Sequence, residues 1–333
     1  MRIHRLIAAF AMLGLIGLFS CGSGGEKTQV QAGDSLLKGE LVIFHAGSLA
    51  LPVKQACDSF MLMHPQVRIR CEAAGSKECA RKITDLDKPC DIMFSADYQV
   101  IDFLMIPSHA SWNLRFATNE MAIVYNEHSA YAEQIDSLNW PEILMKKEVR
   151  FGRSNPDSDP CGVRAHFTVM LSEIYYGKRG LYKKFLGKDL KYIRPKETDL
   201  LALLETGTVD YIFLYRSVAQ QHGLKYLILP DHVNLRHAGL KDYYAQVSLE
   251  TLGKKPGEKI TETGAPMVYG LTIPARAPNR ELAIAFLRYF LGDAGKKIME
   301  ENGQPFIVPA PSDTYHNIPE ALKCFALPDD PQQ

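Results

Sequence analysis

Residues 41–49 read Leu-Val-Ile-Phe-His-Ala-Gly-Ser-Leu, and this stretch decides the fold. Leu41 to Phe44 is an unbroken apolar run of strand length, the pattern of a strand buried on both faces. Gly47-Ser48 interrupts it, and a helical pattern follows from Leu49 to Met63. The same grammar returns downstream. Val67 to Cys71 alternates like a strand. Glu72-Ala73-Ala74-Gly75-Ser76 then leads into a helical pattern from Lys77 to Leu86. Asp91 to Phe94 is a third strand, ending at Ser95-Ala96-Asp97. Strand, loop and helix in repetition specify a parallel sheet with helical crossovers.

A second set of units follows. Met121 to Tyr125 reads as a strand. Val149 to Gly152 leads through Asn155-Pro156-Asp157-Ser158-Asp159-Pro160-Cys161-Gly162 into a helix from Val163 to Tyr176. Tyr192 to Arg194 precedes Pro195-Lys196-Glu197, and Thr198 to Leu204 is helical. Tyr211 to Leu214 is a strand and Arg216 to His222 a short helix. Met267 to Ile273 is a late strand. Asn279-Arg280-Glu281 then opens a long amphipathic helix with Leu282, Ile284, Ala285, Leu287, Phe290 and Leu291 near one stripe. Two such sets predict an α/β chain of two discontinuous lobes, residues 40–120 with 270–325 and residues 121–269. The chain crosses near 118–124 and returns near 266–272, and residues 326–333 read as a tail.

Of the 333 residues, 46% are hydrophobic and 23% charged, which excludes wholesale disorder and suits two domains. Lys+Arg and Asp+Glu each number 38, so a polyanion-binding surface over the whole chain is excluded, and no nucleic-acid motif is present. No short period recurs, which argues against solenoids and propellers.

Residues 1–20 read MRIHRLIAAFAMLGLIGLFS. Arg2 and Arg5 precede an apolar run from Leu6 to Phe19, too short for a comfortable membrane span: a secretory signal. Leu18-Phe19-Ser20-Cys21 resembles a bacterial lipobox, in which Cys21 is lipidated and becomes the first mature residue. The alternative is a plain signal with an incidental cysteine. Residues 21–39 read as a flexible tether. The expectation is an exported body anchored by lipid, in the periplasm or on the outer face of the cell membrane. Without the leader, 36 basic residues face 38 acidic ones, a net charge of −2. Export permits disulfides. Cys57, Cys71, Cys79, Cys90, Cys161 and Cys324 allow about 15 full pairings, among which spacing does not choose. None has the C-x-x-C spacing of a structural zinc site.

In open parallel sheets, ligands bind beyond the carboxyl ends of the strands. Five strand-to-helix joints here carry Ser48, Ser76, Asp159, Glu197 and Tyr215. Helix N-termini expose unpaired N–H groups and partial positive charge, which suits anions. Gly47 and Gly75 precede the two serines and allow close backbone approach. Read singly, each residue has a plainer explanation. Ser and Asp are ordinary N-caps, and Asp159 stands before Pro160 as a cap would. Glu197 suits a helix dipole, Tyr215 suits a core, and Asp157 rivals Asp159. His45 reads as a structural histidine, and Arg81 and Lys82 as solvated side chains.

FHAGSL (44–49), EAAGSKECARKI (72–83), SADY (95–98), NPDSDPCG (155–162), RPKETDLLALLETG (194–207) and NGQP (302–305) occur in this order. Together they strongly resemble the archaeal-type tungstate/molybdate-binding proteins. These are solute receptors of ABC importers within the class II periplasmic binding-protein group. The resemblance runs from about Gly39 to Pro311. It implies two lobes, each a mixed, mostly parallel sheet flanked by helices, with a hinge of two crossover strands. It implies no catalytic residues and no cofactor, tungstate or molybdate as ligand, ABC permease subunits as partners, and a monomer. It also implies that Ser48 and Ser76, with the backbone around Gly47, Pro160 and Cys161, hold oxyanion oxygens. Asp159 and Glu197 would give carboxylate oxygens to the metal centre, and Tyr215 would complete the site.

A carboxylate beside a bound dianion is costly, because like charges in a dry cleft repel. Tungsten and molybdenum in their oxyanions are high-valent Lewis acids that accept further oxygen donors; sulfur in sulfate does not at comparable cost. Two acids would thus supply selectivity while serines and helix ends supply hydrogen bonds. Alternatives are a receptor for sulfate, phosphate or a chelated metal, and a hydrolase using Ser48 or Ser76 with His45 or His109. Neither serine lies in G-x-S-x-G.

Overall fold

The computed structural model describes residues 37–253 and 257–329. The leader, the lipobox Cys21 and the tether as far as residue 36 lie outside the described residues, as do residues 330–333.

Strands β1 (Lys38–Ala46), β2 (Gln66–Ala74), β3 (Ile92–Ser95) and β4 (Leu114–Thr118) supply most of a first sheet. A second is built from β5 (Met121–Tyr125), β6 (Phe151–Ser154), β7 (Ile193–Arg194), β8 (Tyr211–Tyr215) and β9 (Lys225–Ile228). β10 (Ser248–Leu252) and β11 (Lys259–Thr263) form an antiparallel pair, and β12 (Val268–Thr272) returns to the first sheet. The strand orders are β2-β1-β3-β12-β4 and β7-β6-β8-β5-β9. β1 runs parallel to β2 and β3, as β6 does to β7 and β8. β12 runs antiparallel to β3 and β4, and β5 antiparallel to β8 and β9. In each sheet the inserted antiparallel strand is the one that follows a crossing from the other side. The result is the expected α/β class, with two sheet-containing lobes flanked by helices and two crossings between them.

The structure moves three boundaries. The parallel ladder between β1 and β2 runs from Lys38↔Gln66 to Ala46↔Ala74, so the strand begins inside the segment read as tether. Ala326–Pro328 pairs in parallel with Ala310–Ser312, so the segment read as a tail opens as a strand. The helix Arg280–Leu291 buries Leu282, Ala283, Phe286, Leu287, Phe290 and Leu291, whereas Ile284 and Ala285 are only half-buried. Leu282, Phe286 and Phe290 recur at four-residue steps and so share one face. Phe290 sits among Phe94, Phe116 and Phe306, at ring-centroid separations of 4.9, 5.7 and 5.9 Å, and this aromatic cluster sets the helix's rotation.

Asp91 ties this C-terminal helix to the first sheet. Its side chain is fully buried and accepts from Val42 N–H (2.8 Å) and Asn279 N–H (2.7 Å), one residue before the helix begins. Removing the carboxylate leaves two half-buried donors without this partner, so Asp91→Ala is expected to lower unfolding stability by about 1–3 kcal/mol, measured by urea titration. A change below about 0.5 kcal/mol would show that the strap is redundant.

Candidate functional site

The carboxyl ends of the parallel strands deliver every residue singled out in the sequence. β1 runs into the turn Gly47–Leu49 and the helix Ala50–Met63. β2 runs through Gly75 into the helix Ser76–Thr84. β6 leads through 155–159 into the helix Pro160–Tyr175, β7 through 195–198 into Asp199–Glu205, and β8 directly into Arg216–Gln221. Ser48, Ser76, Asp159, Glu197 and Tyr215 are all buried.

Asp159 is a helix cap, as its local sequence suggests, but only with one oxygen. Its Oδ1 accepts from Cys161 N–H at 3.1 Å, behind Pro160 in the first turn. No well-formed hydrogen bond reaches its Oδ2 or either oxygen of Glu197, although the Ser154 hydroxyl and the Ser48 and Glu197 N–H groups lie near enough to act on the pair. The two carboxyls face each other closely enough that each acts on the other's proton. Burial raises Asp159, against the pull of the neighbouring Glu197 carboxyl and the Cys161 N–H. Burial, then the charge of Asp159, push Glu197 well above the usual carboxylate range. In the unliganded chain the pair therefore favours holding a proton on Glu197. Asp157, the rival, is spent elsewhere: its Oδ1 accepts from Leu252 N–H at 2.9 Å.

The glycines explain how these acids approach the serine-bearing loops. A Cβ on Gly47 would lie 3.0 and 3.1 Å from the two Glu197 oxygens and 2.9 Å from Thr198 Oγ1. A Cβ on Gly75 would lie 2.3 Å from the Ser158 carbonyl oxygen. The loops after β1 and β2 thus meet the loops after β7 and β6 at van der Waals range.

Both serine hydroxyls are held as acceptors, which leaves each O–H able to donate. Ser76 Oγ accepts from Ala96 N–H at 2.9 Å. Ser48 Oγ accepts from the Tyr269 hydroxyl at 3.1 Å, which in turn accepts from Asn119 Nδ2 at 2.8 Å. Gln304 Nε2 donates to the Ser48 carbonyl at 2.8 Å. The Tyr215 hydroxyl accepts from Arg164 Nη1 at 2.9 Å; the same guanidinium donates to Ala96 O and Asp97 Oδ2, each at 2.9 Å. Lys77 is buried and donates to Pro156 O (2.8 Å), Thr251 Oγ1 (3.2 Å) and Glu262. His45 is a structural histidine: its Nδ1 bonds Ala46 O at 2.8 Å, and burial lowers its pKa. Among the described residues, neither serine hydroxyl is paired with a histidine nitrogen.

One sequence reading is corrected. Arg81 and Lys82 are not simply solvated side chains: Lys82 pairs with Glu72 (2.6 Å) and Glu78 (3.0 Å), and Arg81 donates to Asp157 O (2.8 Å), Leu252 O (3.1 Å) and Gly253 O (3.3 Å). These carbonyls lie far along the chain, so local pattern holds no trace of them. Arg164, Asn119, Tyr269 and Gln304 were not singled out either. Gln304 stands inside NGQP, which was a usable signal; Arg164 is a lone base between Val163 and Ala165 in a buried helix, which was a weaker one.

Comparison with known proteins agrees with the motifs. Residues 41–304 match the bacterial extracellular solute-binding protein family. An "uncharacterized solute-binding protein" of Petrotoga mobilis is 48% identical over 290 residues, covering 87% of this chain and 90% of that one. The molybdate/tungstate-binding protein WtpA of Pyrococcus abyssi is 40% identical over 350 aligned positions, covering 97% of this chain and 98% of that one. Among solved structures, the periplasmic molybdate-binding protein of Azotobacter vinelandii superposes with a TM-score of 0.57 at 15% identity, over 81% of this chain and 99% of that one. The sulfate-binding protein SubI of Mycobacterium tuberculosis also gives 0.57, at 11% identity, over 87% and 92%. Those two likenesses establish the fold and leave the ligand to the site. The chain is thus a member of the bacterial extracellular solute-binding protein family.

Proposed function

We propose that this chain is the extracytoplasmic receptor of an ABC importer, capturing tungstate or molybdate between its two lobes. Its partners are the permease subunits on which the closed receptor docks, and it acts as a monomer. Cys21 carries the lipid that holds the body at the membrane, with residues 21–36 as tether. The reading is supported by the 40% identical molybdate/tungstate-binding relative, and above all by one observation: three buried carboxylate oxygens of Asp159 and Glu197 that make no well-formed hydrogen bond.

A receptor for a simple oxyanion offers donors and avoids bare acceptors. The fold is shared with a sulfate-binding protein, so fold does not choose the ligand. The acid pair does. Asp159 and Glu197 donate oxygen lone pairs to the tungsten or molybdenum centre, raising it toward octahedral coordination. Ser48 and Ser76 hydroxyls and the N–H groups at the starts of their helices bind the oxo groups. Gly47, Pro160 and Cys161 shape the backbone around them, and Tyr215, seated on Arg164, closes the side of the site. Because each serine and each acid come from different sheets, only the closed arrangement engages all of them.

Calorimetric titration is expected to show tight binding of tungstate and molybdate and weak binding of sulfate; equal affinity for sulfate would remove the carboxylate argument. Glu197→Gln should weaken tungstate binding at least tenfold, about 1.4 kcal/mol or more. The same variant tests the proton. A carboxyl raised in the folded state binds more protons than in the unfolded chain, so its contribution to stability declines as pH rises above the ordinary carboxylate range. The unliganded wild type should therefore lose thermal stability relative to Glu197→Gln as pH rises above the ordinary carboxylate range of about 4 to 4.5, the two converging at the acid end. Gly75 has ordinary extended angles (φ −61°, ψ 142°), so Gly75→Ala is tolerated by the backbone but collides with Ser158. Its tungstate affinity should fall more than about tenfold, because the loops after β2 and β6 can no longer meet. Loss of stability with unchanged affinity would show that the contact serves folding alone.

A further inference from the structure

Cys57 and Cys71 bring their sulfurs to 3.5 Å of each other, although six cysteines leave the pairing open in sequence. The approach follows from packing. Cys57 is buried on the inner face of the helix Ala50–Met63, near Val53 and Phe60. Cys71 follows Val67 and Ile69 at two-residue steps, so it shares their face of β2, the edge strand of the first sheet. Val53, Cys57, Phe60 and Val67 belong to one hydrophobic cluster, against which Ile69 packs. Closing a disulfide asks the sulfurs to approach from 3.5 Å to about 2.0 Å. Cys79, Cys90 and Cys161 are buried thiols, and Cys324 lies exposed near the C-terminal end.

We propose that Cys57 and Cys71 form a disulfide once the chain reaches an oxidising compartment, which rests on the extracytoplasmic placement argued above. The Cys71 thiolate attacks a disulfide donor of the glutathione or oxidoreductase type, forming a mixed disulfide and expelling one donor thiolate. Cys57 then loses its proton to solvent, and its sulfur attacks Cys71 Sγ and expels the second donor thiolate. Two protein thiols are oxidised and one donor disulfide is reduced. Cys71 suits the first step because it is the exposed member of the pair. The bond would staple the helix that follows Ser48 to the strand that leads into Gly75 and Ser76. It constrains the two serine-bearing loops of one sheet from behind, without touching the site.

The test starts from chain made reduced in the cytoplasm and treated with oxidised glutathione. After alkylation and trypsin under non-reducing conditions, Cys57 falls in peptide 55–68 and Cys71 in peptide 71–77. A cross-linked species of these two peptides is expected. Reduction should lower the melting temperature by on the order of 5 °C. Cys71→Ser should abolish this reduction-dependent shift while leaving the chain folded. Both cysteines alkylated after oxidation, or either one joined to Cys324, would overturn the proposal. Full-length chain with its own leader, exported in a bacterial host, should carry the bond as isolated. Free thiols there, with the bond formed by glutathione, would count against the compartment and not the pairing. Tungstate titration of both forms reports separately on the receptor reading.

Discussion

Two carboxyl groups pressed together in a dry cleft set the terms for the rest of this molecule. Folding alone gives no reason to bury Asp159 Oδ2 and both Glu197 oxygens without a well-formed hydrogen bond. The arrangement persists because the surrounding elements over-determine it. Asp159 is fixed by its cap on the helix Pro160–Tyr175, and Glu197 packs against Gly47, where even a Cβ would crowd its carboxyl oxygens. Strain of this kind, held in place by well-satisfied neighbours, marks a site shaped for something other than stability.

The neighbours are satisfied in a telling pattern. Asn119 stands between β4 and β5, at one crossing of the chain, and Tyr269 lies in β12, just past the other. Their hydrogen bonds run in series to Ser48. A rotation of one lobe on the other must therefore disturb the serine that faces the acids. Farther out, Arg164 reaches Ala96 and Asp97, and Lys77 reaches Pro156 and Thr251, so each side contributes one buried cation to the other. These straps are charge-assisted and water-excluded, and they reward a single relative placement of the two sheets.

Much of this was legible in the chain, and the boundary of legibility is physical. Local signals carried far: the apolar runs at 41–44 and 211–214 gave strands, Gly-Ser gave the joints, and Asp-Pro gave a helix start. What local pattern cannot express is which side chains meet across the cleft. Asp159 and Glu197 are separated by 38 positions, and each looks like a cap or a dipole partner until the other is beside it. Arg81 looked solvated for the same reason, since its acceptors lie on distant turns. The inner face of the helix Arg280–Leu291 was offset because composition shows apolar residues on its flanks too, and only the aromatic cluster around Phe290 selects among them.

The acid pair also bears on how a receptor of this fold distinguishes anions of similar size and charge. Hydrogen-bond donors alone treat tetrahedral dianions much alike. A carboxyl pair adds a term that differs in sign between ligands. Toward sulfate it is repulsive, because the central atom has no use for another lone pair and the charges remain unmatched. On the proposed reading it is attractive toward a metal oxyanion, because the central atom accepts the lone pairs and the acids lose their reason to hold a proton. On the same reading the raised proton affinity of Glu197 is part of the selectivity, since a ligand must compete for its electrons to displace that proton. Discrimination comes from what the site withholds as much as from what it offers.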